Sequence, residues 1–182
     1  IKKYPHIDIM AGPSQLDQVP ILLESHFMEA HQSSYDKVAL SGFRKREKGQ
    51  EKDRLIEIEA LDQTRTGEIN SSRQSFVRIT RGCNKFCSFC VVPMTRGPEV
   101  HRPAQSIVDE CKRLVDSGAK EITLLGQTIN HYSATENGKQ TSFAQLLYQI
   151  HEATPELPRL RFLTSYPRDF TEEALDVMAS CE

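Results

Sequence analysis

From residue 75 onward, strand-length apolar runs alternate with segments whose apolar residues recur at helical spacing. The pattern predicts strands over residues 75–80, 121–126 and 160–164, and helices from Pro103 to Gly118, over residues 143–150 and after Thr171. The run at 121–126 is almost continuously apolar, which is typical of a strand buried on both faces. Strands that alternate with helices of this length predict βαβ units, three of them here, and a parallel sheet.

The first 72 residues carry a weaker pattern. A short apolar run at residues 7–11 predicts a strand that ends at Gly12-Pro13. Helix-spaced apolar residues follow over residues 16–27, and Pro20 predicts that this helix begins late or bends. Residues 31–72 are mostly polar, with short strands predicted at 38–40 and 55–58.

The segment from Arg44 to Arg54 holds six basic and three acidic residues and no apolar residue. A charge run of this kind is typical of a solvated connection. We therefore predict that residues 31–72 form a linker.

Composition changes this picture little. The 182 residues are 38% hydrophobic and 26% charged, as in an ordinary globular protein. No apolar run approaches the ~18 residues that a membrane-spanning helix needs, and the N-terminal residues do not resemble a secretory signal, so we expect a cytoplasmic protein without membrane contact. The net charge of −2 means that any nucleic-acid binding must come from a local basic patch.

The five cysteines are unevenly placed. Cys83, Cys87 and Cys90 fall within eight residues, whereas Cys111 and Cys181 stand alone. An odd number, a tight cluster and the lack of a signal peptide favour a metal or redox site in a reducing compartment over a disulfide framework. Cys111 lies on the apolar face of its predicted helix, so we expect it to be a buried core thiol.

Three thiolates in a loop that leaves a strand can hold three irons of a [4Fe–4S] cube and leave the fourth iron open. Structural zinc sites need four ligands, usually from paired Cys-x-x-Cys knuckles, and the sequence has no second pair. His101 is a distant fourth candidate, eleven residues beyond Cys90 and after two prolines and a glycine. The spacing therefore favours the iron–sulfur cluster.

The segment Gly82-Cys83-Asn84-Lys85-Phe86-Cys87-Ser88-Phe89-Cys90 resembles the cluster motif of radical S-adenosylmethionine enzymes. With Thr95-Arg96-Gly97 and Arg102-Pro103 downstream, it is most similar to their methylthiotransferase family. Residues 124–130 and 164–167 resemble the ends of that family's second and third barrel strands. The resemblance implies an α/β fold: a partial TIM-type barrel with the first three βα units, where a closed barrel needs about 250 residues.

The same resemblance implies a division of the chain. Residues 1–30, with Gly12-Pro13 and the helix after it, resemble the C-terminal end of the family's N-terminal α/β domain. Residues 31–72 form the linker, and residues 73–182 the first part of the catalytic domain. The family's second cluster uses three further cysteines, and none precedes Cys83 here. We therefore expect a fragment that is inactive alone.

The resemblance also implies cofactors, partners and site residues. The cofactors are a [4Fe–4S] cluster, held by Cys83, Cys87 and Cys90, and S-adenosylmethionine. The residues expected near S-adenosylmethionine are Phe86, Gly126, Gln127, Asn130 and Ser165. The expected partners are tRNA and a reducing electron-transfer protein, and the basic residues expected to face RNA are Arg96, Lys85 and Arg102.

The implied activity is addition of a methylthio group to C2 of N6-isopentenyladenosine beside the anticodon of tRNA. Lys85, Thr95 and Glu99-Val100 favour this branch of the family. Three alternatives stay open. The substrate could be a ribosomal-protein aspartate or another modified tRNA adenosine, or the chain could be a non-catalytic metal- or RNA-binding module.

Overall fold

The computed structural model describes residues 7, 9–11, 18–29, 38–40 and 73–181. Its strands are β1 Ile9–Ala11, β2 Val38–Leu40, β3 Gln74–Arg78, β4 Thr80–Arg81, β5 Val100–His101, β6 Glu121–Leu125, β7 Ser133–Glu136, β8 Lys139–Ser142 and β9 Leu160–Phe162. Its α-helices are α1 Val19–Glu29, α2 Val92–Arg96, α3 Ala104–Asp116, α4 Phe143–Ala153 and α5 Glu172–Ser180, with short 3₁₀ helices at Ile129–His131 and Pro167–Asp169.

The N-terminal elements confirm three local predictions. β1 pairs in parallel with β2, with Met10 opposite Ala39. Pro20 lies in the first turn of α1, where a missing backbone N–H leaves no hydrogen bond unmade, and the helix accordingly begins late. The charged run at 44–54 and the predicted strand at 55–58 lie outside the described residues, as does most of the predicted linker.

The parallel sheet predicted for the second half of the chain is confirmed. β6 lies between β3 and β9 and pairs in parallel with both. The register places Leu124 opposite Val77 on one side and Phe162 on the other. Since β3, β6 and β9 are parallel, their carboxyl ends meet at one edge of the sheet, and the loops that carry the candidate chemistry leave from there.

Three helices cover this sheet, as predicted. α3 packs on β3, α4 packs on α3, and α5 packs on α4. The buried residues of α3 are Ala104, Ile107, Val108 and Cys111. Cys111 is fully buried, which confirms the predicted core thiol. Sheet and helices enclose one apolar core, so the fold is α/β.

Local capping residues set where two helices begin. Ser142 and Gln145 form a reciprocal capping box at the start of α4: the Ser142 hydroxyl accepts from Gln145 N–H, and the Gln145 side chain accepts from Ser142 N–H. Thr171 caps α5 as predicted, because its hydroxyl accepts from Ala174 N–H. Glu172 and Glu173 follow in the first turn, where their charge favours the helix dipole.

The sequence pattern missed two antiparallel pairs. β7 and β8 form a hairpin whose turn residues, Asn137 and Gly138, both have positive φ. That dipeptide is the usual signal for such a turn. β4 and β5 also pair, with Thr80 opposite His101, and this second pair holds together the two ends of the segment that carries the cysteines.

Candidate functional site

The cysteine loop, residues 82–99, connects β4 to β5, the two strands of the separate antiparallel pair. Gly82 opens the loop with φ of +75°, and a Cβ atom there would lie 2.1 Å from the carbonyl oxygen of Pro98. Cys83 N–H donates to Gly97 O across the base of the loop at 3.2 Å. The two ends of the loop therefore touch, and only glycine fits at residue 82.

The three clustered cysteines differ in exposure. Cys83 is buried at the base of the loop, whereas Cys87 and Cys90 are exposed. Cys83 Sγ accepts from Lys85 N–H at 3.3 Å and lies 3.3 Å from Thr128 Oγ1. Cys90 N–H donates to Cys87 O at 3.0 Å, so a tight turn joins the outer two cysteines. None of the described cysteines forms a disulfide, and the loop therefore offers one inner and two outer thiols as ligands.

The end of β6 contributes Gly126 and Gln127 to the same edge. A Cβ atom at Gly126 would lie 2.3 Å from Thr80 Oγ1, so this glycine lets β6 pass close to β4. Within the described part of the chain, Thr80 Oγ1 and Gln127 Oε1 are buried without a hydrogen-bond partner. Two buried polar atoms thus remain available to a ligand beside the predicted pair Gly126-Gln127.

Asn130 links the loop after β6 to the loop after β9. Its side-chain amide donates to Tyr166 O and accepts from Tyr166 N–H, both at 2.8 Å. Ile129 N–H donates to Thr164 O at 3.2 Å in the same contact. Both polar atoms of the Asn130 amide are therefore engaged within the chain, and the neighbouring Ser165 is exposed.

Lys85 has a defined partner in the chain. Its ammonium lies 2.7 Å from Asp169 Oδ2 and 5.2 Å from the centre of the Tyr166 ring. The hydrogen bond with Asp169 raises the pKa of Lys85 above its ordinary value. Lys85, expected to face RNA, thus ties the cysteine loop to the loop after β9.

The other predicted residues lie in contrasting places. Arg102 is 5% exposed, and its guanidinium donates to Glu110 Oε2 at 2.7 Å and to Arg78 O at 2.8 Å. We expected Arg102 to face RNA. The structure instead buries it, because its guanidinium makes hydrogen bonds within the domain. Arg96 is exposed in the last turn of α2. Phe86, expected to shield a cluster, is 82% exposed.

Sequence reasoning missed a cluster formed by Glu99, His101 and His131. Glu99 Oε2 and His131 Nδ1 lie 2.6 Å apart, and Glu99 is 6% exposed. Burial raises the pKa of Glu99 above its ordinary value, although the hydrogen bond from His131 opposes the shift. Burial lowers the pKa of His101 to about 4. The sequence carries no local signal for the cluster, because 32 residues separate Glu99 from His131.

Comparison with known proteins bears on the cysteine loop and the strands behind it. Residues 77–182 match the family model described as the Radical SAM superfamily. The chain belongs to the radical SAM superfamily. The match begins in β3 and includes all three clustered cysteines, Gly126 and Asn130.

Curated relatives align with nearly the whole length of this chain. It is 38% identical, over 97% of its length, to the tRNA-2-methylthio-N(6)-dimethylallyladenosine synthase of Pelagibacter ubique. It is also 38% identical, over 98% of its length, to the protein of the same name from Chromobacterium violaceum. The chain spans 36% of the length of each of these relatives.

A solved structure is also similar in part. It is the radical S-adenosylmethionine methyltransferase TsrM from Kitasatospora setae with cobalamin and a [4Fe–4S] cluster bound, at 26% identity and a TM-score of 0.45. The alignment covers 59% of this chain and 20% of that protein.

Among the residues that the structure describes, no helix is both long and apolar enough to cross a membrane.

Proposed function

We propose that this chain carries the cluster-binding part of a tRNA methylthiotransferase. The observation that carries the proposal is the cysteine loop, which presents three thiols at the carboxyl edge of a parallel sheet in a radical SAM chain. The proposed substrate is N6-isopentenyladenosine beside the anticodon, the proposed product carries a methylthio group at C2, and the proposed location is the cytoplasm. The names of relatives that are 38% identical support this choice.

The donor set of the loop fits a [4Fe–4S] cluster. Cys83, Cys87 and Cys90 are thiols without disulfide partners, and three thiolates leave one iron open to S-adenosylmethionine. The hydrogen bond from Lys85 N–H to Cys83 Sγ is of the kind that tunes the potential of a cluster. A cluster held by these cysteines would supply one electron for the cleavage of S-adenosylmethionine to methionine and a 5′-deoxyadenosyl radical.

The edge of the sheet fits S-adenosylmethionine. Gln127 Oε1 and Thr80 Oγ1 are the unpartnered buried atoms described above, and they can accept hydrogen bonds from the amino group or hydroxyls of that cofactor. Gly126 packs closely against Thr80 and so brings Gln127 to the same place. We assign Gly126 and Gln127 to the cofactor pocket, keep Phe86 and Ser165 as proposed contacts, and assign Asn130 to positioning the pocket wall.

The exposed face of the cysteine loop suits an RNA substrate. Phe89 and Met94 are exposed there, and Arg96 adds a positive charge. RNA recognition commonly combines phosphate contacts from arginine with stacking of unpaired bases on aromatic rings. Arg96 is therefore the proposed phosphate contact. Lys85 and Arg102 instead bind Asp169 and Glu110 within the chain.

The same proposal extends to the organisation of the protein. β3, β6 and β9, with α3, α4 and α5, represent the first three βα units of a TIM-type barrel. Residues 1–30 represent the end of an N-terminal domain, and residues 31–72 the connection. The proposed reaction also requires a second [4Fe–4S] cluster, a reducing electron-transfer protein and the tRNA substrate.

The first experiment tests the cluster ligands. Anaerobic reconstitution of the chain with iron and sulfide should give about four irons per chain, and Cys87→Ala should abolish this uptake because two thiolates cannot hold the cube. Cys111→Ala is the matched control, since Cys111 is buried in α3, and it should keep the iron. Equal iron loss in the two variants would overturn the ligand assignment.

The second experiment tests the substrate. A strain that lacks the gene whose full-length product includes this chain should accumulate N6-isopentenyladenosine in its tRNA and lose the 2-methylthio derivative, as measured by mass spectrometry of nucleosides. A plasmid copy of the gene should restore the modification, and the Cys87→Ala copy should not. Unchanged tRNA modification in the deletion strain, together with loss of a methylthio group from a ribosomal protein, would move the chain to the other branch of the family.

A further inference from the structure

We propose that Glu99, His101 and His131 form a second metal site, which binds a first-row divalent cation such as Zn²⁺ separately from the cysteines. One ligand atom from each residue lies within 4.8 Å of the other two. Two imidazoles and one carboxylate are the protein ligands of many zinc sites that keep an open position for water. The site goes beyond the proposed methylthiotransferase activity and does not depend on it.

Two buried polar atoms without partners point to a ligand at this place. Glu99 Oε2 contacts His131 Nδ1, but within the described chain the second carboxylate oxygen, Oε1, is buried and has no hydrogen-bond partner. His101 Nδ1 is buried and unpartnered in the same sense. Because a buried polar atom without a partner is destabilising, two such atoms in one cluster point to a ligand, and a carboxylate oxygen and an imidazole nitrogen can both coordinate a cation.

The backbone brings the three residues together from two elements. Glu99 directly precedes β5, His101 ends β5, and His131 ends the 3₁₀ helix after β6. The His101 ring packs edge-on against Tyr132, with ring centres 5.5 Å apart. This contact limits the directions that the imidazole can take, so the site is partly preorganised.

The cluster can reach a coordinating arrangement through small side-chain movements. Zinc ligands at about 2.0–2.2 Å from the metal lie roughly 3.4 Å from one another in a tetrahedron. In the structure Glu99 Oε2 and His131 Nδ1 are 2.6 Å apart, and one ligand atom of each residue lies within 4.8 Å of the other two. The His131 side chain is 43% exposed, so it can turn, and it also provides the path by which a cation and water enter.

The site also adjoins the cysteine loop. Glu99 N–H donates to Asn84 Oδ1 at 3.1 Å, and Asn84 directly follows Cys83. A cation held by Glu99 would therefore fix the segment that closes the base of the loop. The bound cation, which keeps an open position for water, thus also stabilises the return of the loop to β5.

Cation binding is measured on the full chain in which Cys83, Cys87 and Cys90 are replaced by serine, so that thiolates do not compete. Calorimetry with Zn²⁺ should show one site per chain, whereas Mg²⁺, which prefers oxygen ligands, should not bind there. His131→Gln should weaken Zn²⁺ binding at least about tenfold. Loss of a hydrogen-bond partner of a ligand already has an effect of that size, and loss of the ligand itself should have no smaller one. The matched control His151→Gln, which lies on α4 outside the cluster, should bind as before.

A second measurement needs no change at the site. In nitrogen NMR spectra of the serine variant, Zn²⁺ should shift the imidazole signals of His101 and His131 and leave that of His151 in place. If the serine variant does not fold, the difference in Co²⁺ absorption between the natural chain and His131→Gln provides the readout. This difference spectrum should show the absorption bands of Co²⁺ bound by nitrogen and oxygen ligands, and no charge-transfer band from sulfur ligands. Absence of stoichiometric binding, or equal binding in His131→Gln, would overturn the proposal.

Discussion

Gly82 shows how strongly one residue constrains the candidate site. Its φ of +75° lies in the left-handed region, and the space where a Cβ atom would stand is occupied by the backbone of Pro98. Backbone atoms cannot move aside as a flexible side chain can. A side chain at residue 82 would therefore separate the two ends of the cysteine loop.

Gly82→Ala should lower the free energy of unfolding by more than the ~1–3 kcal/mol expected for a strained backbone alone, because the steric clash adds to the strain. Urea unfolding of the chain measures the loss. Gly138→Ala is the matched control: Gly138 has φ of +79° but nothing within 4 Å of its added Cβ atom. Equal losses in the two variants would mean that the contact with Pro98 does not matter.

The cysteines should also differ in reactivity. Burial raises the pKa of Cys111 to about 12, so only a fraction of about 10⁻⁴ is thiolate at pH 8, and the side chain is fully buried. Iodoacetamide should therefore modify the exposed Cys87 and Cys90 in the native chain and leave Cys111 unmodified, as mass spectrometry of peptides would show.

Unfolding the chain in urea supplies the control for this reaction, since it should make Cys111 react like the others. Rapid modification of Cys111 under native conditions would contradict the buried position that the fold gives it.

At the scale of elements, side chains join loops that leave different strands. Lys85 pairs with Asp169, and Asn130 binds the backbone of Tyr166 through both atoms of its amide. The first contact joins the cysteine loop to the loop after β9, and the second joins the loops after β6 and β9. Together they connect the three loops at one edge of the sheet.

Asn130→Ala should lower the free energy of unfolding of the cofactor-free chain by about 2 kcal/mol, because it leaves the N–H and C=O of Tyr166 without these partners. Chemical denaturation measures the change. Gln140→Ala, which removes one exposed hydrogen bond to Ser133, should cost less than about 0.5 kcal/mol. Unchanged stability of Asn130→Ala with weakened S-adenosylmethionine binding would instead make Asn130 a direct cofactor contact.

At the scale of the whole molecule, the 182 residues contain one set of clustered cysteines. A polypeptide of these residues should therefore hold one cluster and should not transfer a methylthio group to isopentenylated tRNA at catalytic turnover. Positioning the reacting atoms accounts for a large part of such catalysis, and the chain spans 36% of the length of relatives that carry this activity in their names.

Mass spectrometry of nucleosides after incubation with reductant and S-adenosylmethionine measures this transfer. Appearance of the 2-methylthio product over many turnovers would contradict the prediction.

The sequence by itself determined the features that depend on neighbouring residues. Apolar spacing was sufficient to predict β3, β6 and β9 and the three helices between and after them, because burial in a parallel sheet demands those runs. Thr171 caps α5 as predicted, because a capping signal acts within a few residues. The metal site indicated by the cysteine spacing stays a prediction.

Only the tertiary structure decided which distant groups meet. Lys85 and Asp169 are 84 residues apart, Asn130 and Tyr166 are 36 apart, and Glu99 and His131 are 32 apart. Each pair forms because parallel strands bring successive loops to one edge, and the local pattern around each residue is that of ordinary polar loop sequence. Burial of Arg102 is a consequence of the same packing: its guanidinium donates to Arg78 O at the end of β3 and to Glu110 in α3, whereas we expected it to face RNA.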